Sequence, residues 1–498
     1  IALASHERAA TGLRILGLRV PFSALPMGCL SLSAMIGFPL DDLWHRTYGI
    51  DVTMWSPTHL MMIGAASFTP VAMALMLVEG GRAPRRPGVH RAMAFRIAGA
   101  ALVGLSTFQL EFDLGIPQWQ ALYQPVLIMA AGGLALVAAR AVLGRGAALL
   151  TAVSFLVIRG MWALLIGFGL GHTLPRFPLY LGVAASVELG FWLGRGLRPL
   201  PRALVVGACV GTLGLASEWA FSQVWGRHPW QAELLPHLGV AVAAAIAAAV
   251  IGMAAGRVMA YDPRSVPLPA VLVAAAALVA LLAVPFPRTV APVSAHLATA
   301  AAGPATLGVD QYGMPALVQP RTVTVTLTPA GAASGADQFE VISWQGGGAR
   351  NTPLRQVAPG RFAAAAAVPT GGTWKSLVIL TRGSEMMAVP VYMPASPDYG
   401  QAEIAAPAAA DLEFAAASRY LIRPRDGDPG PARAITAAFF TSSGLLALLF
   451  LGTFLAIGRQ SSGGGPAGAE RGPKAGPTSG RPRPRLAGVV ATADGPGL

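Results

Sequence analysis

The chain contains little charge and little cysteine. Of its 498 residues, 12% are charged, two are lysine and two are cysteine. Globular domains carry about 25% charged residues, so we expect lipid, and not water, to surround most of this chain. Cys29 and Cys209 each fall in an apolar run, which excludes a disulfide framework or a thiol redox motif. The absence of GxxxxGK[ST] and CxxCH motifs argues against an ATP-driven pump and a c-type haem.

Long apolar runs make up much of the chain. Hydrophobic residues make up 54% of the chain, and ten runs approach the length that crosses a hydrocarbon core of about 30 Å. The runs lie at 20–40, 57–78, 97–112, 121–139, 147–169, 178–194, 203–222, 236–256, 267–287 and 434–457. We therefore predict a mainly α, polytopic transmembrane helix bundle of about ten spans in a lipid bilayer.

The distribution of arginine predicts how this bundle is oriented across the membrane. Fifteen of them precede the first run or lie in alternate gaps, whereas the intervening gaps hold only Arg46, Arg176 and Arg227. Cytoplasmic loops carry the excess of positive residues, so the arginine-rich gaps and both termini are predicted to be cytoplasmic in a bacterial-type plasma (inner) membrane. The net charge of +13 then reflects topology and predicts no nucleic-acid partner.

Composition divides the chain into four parts. We predict a helical membrane domain over 1–288, an extracytoplasmic Ig-like β-sandwich over 289–425, a transmembrane helix over 426–458 and a disordered basic cytoplasmic tail over 459–498. Period-two alternation and Gly/Pro turns predict the strands of the second part. These strands are Arg321–Thr328, Gln338–Trp344, Gly360–Val368, Thr373–Thr381 and Met386–Met393. The stretch Ala405–Tyr420 is predicted to be helical.

The gap between the first two runs has the sharpest functional pattern. Asp41 and His45 are four residues apart, so they share a face if the first helix continues for one more turn. His59 lies in the first turn of the next helix, and a hairpin brings it back towards them. One carboxylate and two imidazoles suit Cu(II), zinc or non-haem iron. The alternative is that Asp41, His45 and Arg46 only cap a helix end and meet lipid headgroups.

This segment resembles the metal-binding stretch of the C subunit of copper membrane monooxygenases, the methane and ammonia monooxygenase family. There an Asp or Asn is followed by Trp or Gly and by His at the fourth position, with a second His near a Pro about 13 or 14 residues later. Asp41, Trp44, His45, Pro57 and His59 match this pattern. The resemblance implies that Asp41, His45 and His59 bind copper and that the activity is oxidative. It covers about twenty residues, and residues 300–425 contain no histidine to match the copper ligands of the family's B subunit.

Further acids and histidines fall in the predicted outer gaps and form a possible second cluster. They are Glu111, Asp113, His172, Glu218 and His237. If the bundle closes, these residues converge on one outer chamber and complete or replace the first site. The alternative is a set of loop residues that are solvated independently.

Two charges lie near the middle of predicted spans. Arg159 and Glu188 fall at similar depth, and an unpaired charge there costs at least about 2.5–3.5 kcal/mol. We predict that they pair, either as a static salt bridge or as part of an ion relay. Three hypotheses follow: a metal-binding protein related to the oxidoreductases that the resemblance implies; a permease for a small solute or a metal; and a non-catalytic scaffold that holds other membrane subunits through its β-domain.

Overall fold

A computed structural model describes most of the chain. The described residues are 13–15, 18–49, 54–80, 87–260, 266–285, 290–310, 313–397, 400–421 and 430–463. Most of the predicted cytoplasmic tail and both termini lie outside these ranges.

The N-terminal part is helical after one short hairpin, formed by strands β1 (Leu13–Ile15) and β2 (Leu18–Val20). The helices that follow are α1 (Ala24–Tyr48), α2 (Pro57–Gly80), α3 (Pro87–Ser106), α4 (Leu110–Leu114), α5 (Tyr123–Leu143), α6 (Ala147–Leu164), α7 (Leu181–Leu193), α8 (Pro199–Cys209), α9 (Leu215–Trp225), α10 (Gly239–Met259) and α11 (Leu268–Ala283). A 3₁₀ turn joins α3 to α4, a π-helical turn extends α6, and another joins α8 to α9. The last two helices, α12 (Ser418–Leu421) and α13 (Gly430–Gly463), follow the β-domain.

Within the described ranges, eight helical stretches are long and apolar enough to cross a membrane. They are Ala24–Tyr48, Pro57–Glu79, Gly88–Leu114, Tyr123–Leu143, Ala147–Gly169, Pro199–Trp225, Gly239–Met259 and Arg433–Ala456. The other two predicted runs are the shorter apolar helices α7 and α11. The fold is therefore consistent with a multi-pass membrane protein.

Small residues let the central helices α5 and α10 pack closely. A Cβ added at Gly252 would lie 2.6 Å from the carbonyl oxygen of Gly133, and one added at Gly133 would lie 2.8 Å from the Cβ of Ala248. Such small residues allow helix backbones to approach each other where no hydrophobic effect drives association. Glycine and alanine thus allow the short distance between α5 and α10 at the centre of the bundle.

The β-domain is an antiparallel sheet that is nearly closed. Its strands are β3 (Ser294–Ala301), β4 (Thr306–Val309), β5 (Pro315–Thr328), β6 (Gln338–Gln345), β7 (Gly348–Ala358), β8 (Arg361–Ala364), β9 (Val368–Thr370), β10 (Lys375–Arg382), β11 (Glu385–Tyr392), β12 (Ala409–Glu413) and β13 (Ala415–Ala416). They follow the order β12-β3-β5-β8-β7-β6-β10-β11-β13, with β4 and β9 also paired to β5. Strand β7 pairs with both β6 and β8, so the strands form one continuous sheet. A sandwich, which the sequence predicts, has two separate sheets.

The helix predicted over Ala405–Tyr420 is wrong for most of its length. Strand β12 pairs with β3, where Asp411 lies opposite His296, and β13 pairs with β11. Only Ser418–Leu421 is helical. The alanines have high helix propensity, but tertiary context overrides that preference: β12 completes the ladder on β3, and Phe414 is buried in the sheet core.

Candidate metal centre

The C-terminal end of α1 supplies two of the predicted ligands. The four-residue spacing places Asp41 and His45 on one face of the helix, and His45 Nε2 lies 3.3 Å from Asp41 Oδ2. Gly49 ends the helix with a φ of 107°, a backbone conformation that favours glycine. Its N–H donates to the carbonyl oxygen of His45, and its own carbonyl oxygen lies 3.2 Å from His45 Nδ1.

The first turn of α2 supplies the third ligand. Pro57 is the first helical residue, and the hydroxyl of Ser56 accepts the backbone N–H of His59 at 3.2 Å. The turn carries His59 back to α1, so that its Nε2 lies 3.3 Å from Asp41 Oδ2. The two imidazole rings are 5.3 Å apart at an angle of 60°. The three residues that the sequence singled out therefore lie together.

The distances suit a cation between the three side chains. Metal bonds of about 2.0–2.1 Å at tetrahedral angles place two ligand atoms about 3.3 Å apart, which is the separation of each Nε2 from Asp41 Oδ2. One potential ligand atom from each residue lies within 4.8 Å of the others, and the side chains are half-buried. In the described part of the chain, no other group of three histidine, cysteine or acidic residues meets this criterion.

Neighbouring groups orient these ligands. The hydroxyl of Thr58, which is buried, donates to Asp41 Oδ1 at 2.7 Å and leaves Oδ2 facing the imidazoles. A proton on His45 Nδ1 can be donated to the carbonyl oxygen of Gly49, which leaves Nε2 with a free lone pair. Such contacts fix the tautomer and the ring orientation of a metal-binding histidine.

Glu111 supports the same segment from α4 instead of joining a second cluster. Its carboxylate accepts the backbone N–H of Met54 at 2.8 Å, the indole N–H of Trp55 at 3.2 Å and the backbone N–H of Gln118 at 3.0 Å. These bonds hold the chain that leads into the first turn of α2. Glu111 is therefore a structural acceptor next to the candidate centre.

The other two acids of the predicted second cluster have separate structural partners. Asp113 is fully buried and accepts hydrogen bonds from Arg159 and from Gln109, the latter at 2.8 Å. Glu218 accepts the backbone N–H groups of Leu179 at 3.1 Å and Tyr180 at 2.6 Å, at the start of α7. Buried N–H groups require acceptors, and these carboxylates supply them.

The histidines of that cluster lie where the helical domain meets the β-domain. His172 lies against the glycine turn between β6 and β7, where a Cβ added at Gly347 would be 2.3 Å from its ring. His237 is exposed, and its charge lowers the pKa of Asp337, although burial is the larger effect and raises that pKa. Within the described ranges the five residues have separate contacts and form no group at metal-ligand spacing, and a shared chamber stays a prediction.

His228 connects the two domains through contacts that the sequence does not predict. Its Nδ1 lies 2.9 Å from Glu340 Oε1 and 3.1 Å from the amide nitrogen of Gln338. Asn351 donates from the same sheet to the carbonyl oxygen of Gly115 at 2.8 Å. An alternating strand pattern at Gln338–Trp344 does not indicate which loop of the helical domain the strand will contact.

Arg159 and Glu188 do not pair with each other, which corrects the predicted ion pair. Arg159 binds Asp113 and stacks over Phe177 at 5.5 Å from the ring centre. Glu188 instead accepts from Arg140 Nε at 2.6 Å. Similar depth along two helices does not decide which residues pair. Arg159 pairs with Asp113 on α4, and Glu188 pairs with Arg140 on α5. The two pairs are separate.

Comparisons of this chain with protein-family models, with curated proteins and with solved structures find no match. The three converging side chains at the α1–α2 hairpin are thus the basis for assigning a function.

Proposed function

We propose that the protein is an integral membrane metal-binding protein whose metal, copper as first choice, is held by Asp41, His45 and His59. The observation that supports this most is that two imidazole nitrogens face the same carboxylate oxygen at equal distances of 3.3 Å. One oxygen and two nitrogens are a donor set for copper, zinc or non-haem iron.

The arrangement suits a reactive centre better than a closed structural one. Structural metal sites are usually four-coordinate, whereas three protein ligands leave a position open for a small molecule. Asp41, His45 and His59 keep 17–21% of their side-chain surface exposed, so an ion can reach them from solvent. Bound copper would supply oxidative chemistry of the kind that the resemblance to membrane monooxygenases implies, and we propose a role as such an enzyme or as one of its subunits.

The arrangement of arginines supports an outer location for the site. The gap between the first two predicted apolar runs, 41–56, holds one arginine, whereas the next gap, 79–96, which is predicted to be cytoplasmic, holds five. We propose that the α1–α2 hairpin and the β-domain both face away from the cytoplasm, with the helices in the inner membrane.

Elemental analysis tests the metal proposal. The unmodified protein, a His45→Ala/His59→Ala variant and a control His237→Ala/His296→Ala variant are purified in detergent under the same conditions. The control removes two histidines that lie outside the centre. We expect about one metal per chain in the unmodified protein and in the control, with copper the main element, and almost none in the first variant.

Equal copper, zinc and iron contents in all three proteins would refute the proposal. Zinc or iron in place of copper would keep the site and reject the monooxygenase assignment. Thermal unfolding of the His45→Ala/His59→Ala variant in the presence of chelator shows whether a loss of metal follows from a loss of fold.

A further inference from the structure

One hairpin of the β-domain presents an apolar face that its own sheet does not cover. In the β4–β5 pair, Leu307 lies opposite Leu317 and Val309 lies opposite Pro315, so these four side chains share a face. Leu307 is 76% exposed, Leu317 61% and Val309 58%, and Met314, which directly precedes β5, is 61% exposed. We call Leu307, Val309, Met314, Pro315 and Leu317 the apolar hairpin.

This exposure is unusual for the domain. In the described residues of 290–421, only three other large hydrophobic side chains are exposed, namely Val290, Val357 and Ile404, and these are scattered. The two arms of the hairpin, 306–309 and 313–318, contain no charged residue, and Asp310 in the turn between them accepts the backbone N–H of Met314 at 2.9 Å. Single exposed apolar residues are ordinary, but a contiguous patch marks a surface that contacts a protein or a membrane.

The hairpin lies beside the end of a candidate span. The carbonyl oxygen of Val309 accepts a hydrogen bond from Gln345 at 3.1 Å, and Gln345 begins the turn between β6 and β7. In that turn, the carbonyl oxygen of Gly347 accepts the backbone N–H of Thr173 at 2.6 Å. Thr173 comes four residues after the span Ala147–Gly169 ends. One turn therefore separates the hairpin from the rim of the helical bundle.

The same rim is apolar on the helical side. Phe168 is 79% exposed and Leu170 58% exposed at the end of that span, as expected for side chains that face lipid. An aqueous location for the neighbouring hairpin would leave its four large side chains in water. Transfer of apolar surface out of water is favourable by about 25 cal/mol per Å², and interfacial binding grows with the apolar area buried.

We propose that the apolar hairpin inserts into the outer leaflet of the same bilayer that holds the helices, and so anchors the β-domain on the membrane surface. The lipid acyl chains are the partner, because the hairpin is uncharged along both arms and lies next to lipid-facing residues of the helical bundle. The contact is separate from the metal centre and does not depend on it.

Spin-label accessibility tests the proposal in the full-length chain. Cys29 and Cys209 are replaced by serine, and a nitroxide is attached in separate variants at Leu307→Cys, Leu317→Cys and, as control, Val357→Cys. Val357 is 59% exposed and lies nine residues, about 30 Å of strand, beyond Gly348 on β7. Each protein is reconstituted in phosphatidylcholine vesicles, and collisions with oxygen, which concentrates in lipid, are compared with collisions with a water-soluble nickel chelate.

We expect the oxygen-to-nickel collision ratio at positions 307 and 317 to exceed that at position 357 severalfold. A ratio equal to that of the control would overturn the proposal, because the hairpin would then lie in water. Protection from both reagents would also overturn it and would assign the surface to another protein or a second copy. Two labelled positions guard against one variant that fails to fold.

Discussion

The hydrogen bond from Thr58 to Asp41 allows a sharp test of the metal centre. Thr58→Val keeps the size and branching of the side chain but removes the hydroxyl that donates to Asp41 Oδ1 at 2.7 Å. The carboxylate is then free to rotate, and its oxygen facing the imidazoles is no longer fixed. Loss of such a contact lowers metal affinity about 10–100-fold, or by roughly 1.4–2.7 kcal/mol.

Thr69→Val is the matched control. Thr69 lies on the same helix α2, and its hydroxyl donates to the carbonyl oxygen of Ala65 at 2.8 Å, one turn back along the helix and away from the centre. Both variants replace one threonine of helix α2 with valine. Metal affinity is measured by competition with a chromophoric chelator, using protein that has been stripped of metal and reloaded with Cu(II).

We expect Thr58→Val to weaken binding by the factor above and Thr69→Val to leave it within about twofold, a difference of roughly 0.4 kcal/mol. Equal affinities in the two variants would show that the orientation of Asp41 does not matter to the ion and would refute the reasoning. Unfolding temperatures measured without metal show whether any difference arises from stability instead.

Three further outcomes follow from the structure. In double-mutant cycles measured by unfolding in mixed micelles, the coupling energy between Arg159 and Asp113 should be about 0.5–3 kcal/mol, and that between Arg159 and Glu188 close to zero. A strong coupling between Arg159 and Glu188 would restore the predicted pair. Glu340→Ala removes an acceptor buried between the two domains and should cost about 1–3 kcal/mol, whereas an unchanged unfolding temperature would exclude that role. Burial raises the pKa of Asp337, so its protonation stabilises the fold below about pH 4, and this stabilisation is lost as the pH rises through the folded-state pKa. Asp337→Asn should flatten the pH dependence of the unfolding temperature, and an unchanged profile would contradict the assignment.

The candidate centre was predictable because its signals are local. A spacing of four residues within one helix and a histidine in the first turn of the next helix determine where Asp41, His45 and His59 lie once the hairpin forms. Thr58 directly precedes His59, but adjacent residues of a helix do not share a face, so its hydrogen bond to Asp41 is seen only in the structure.

The partners of the other candidate residues were not predictable, because those partners are distant in the sequence. Glu218 binds backbone N–H groups about 38 residues away at the start of α7, and Arg159 binds Asp113, which is 46 residues away. A list of acids at helix ends does not reveal which of them are needed to satisfy buried donors. The strand β12 was missed for a similar reason, since its alanines favour a helix until the edge of β3 is available.

The position of the candidate centre on a single helical hairpin has a consequence for biosynthesis. Every proposed ligand, and Thr58 as well, is already present once α2 has left the ribosome, whereas the β-domain begins only at Ser294. Domains emerge and fold from the N-terminus during translation. The proposed ion could therefore meet all three ligands on the nascent chain, before the β-domain has been synthesised.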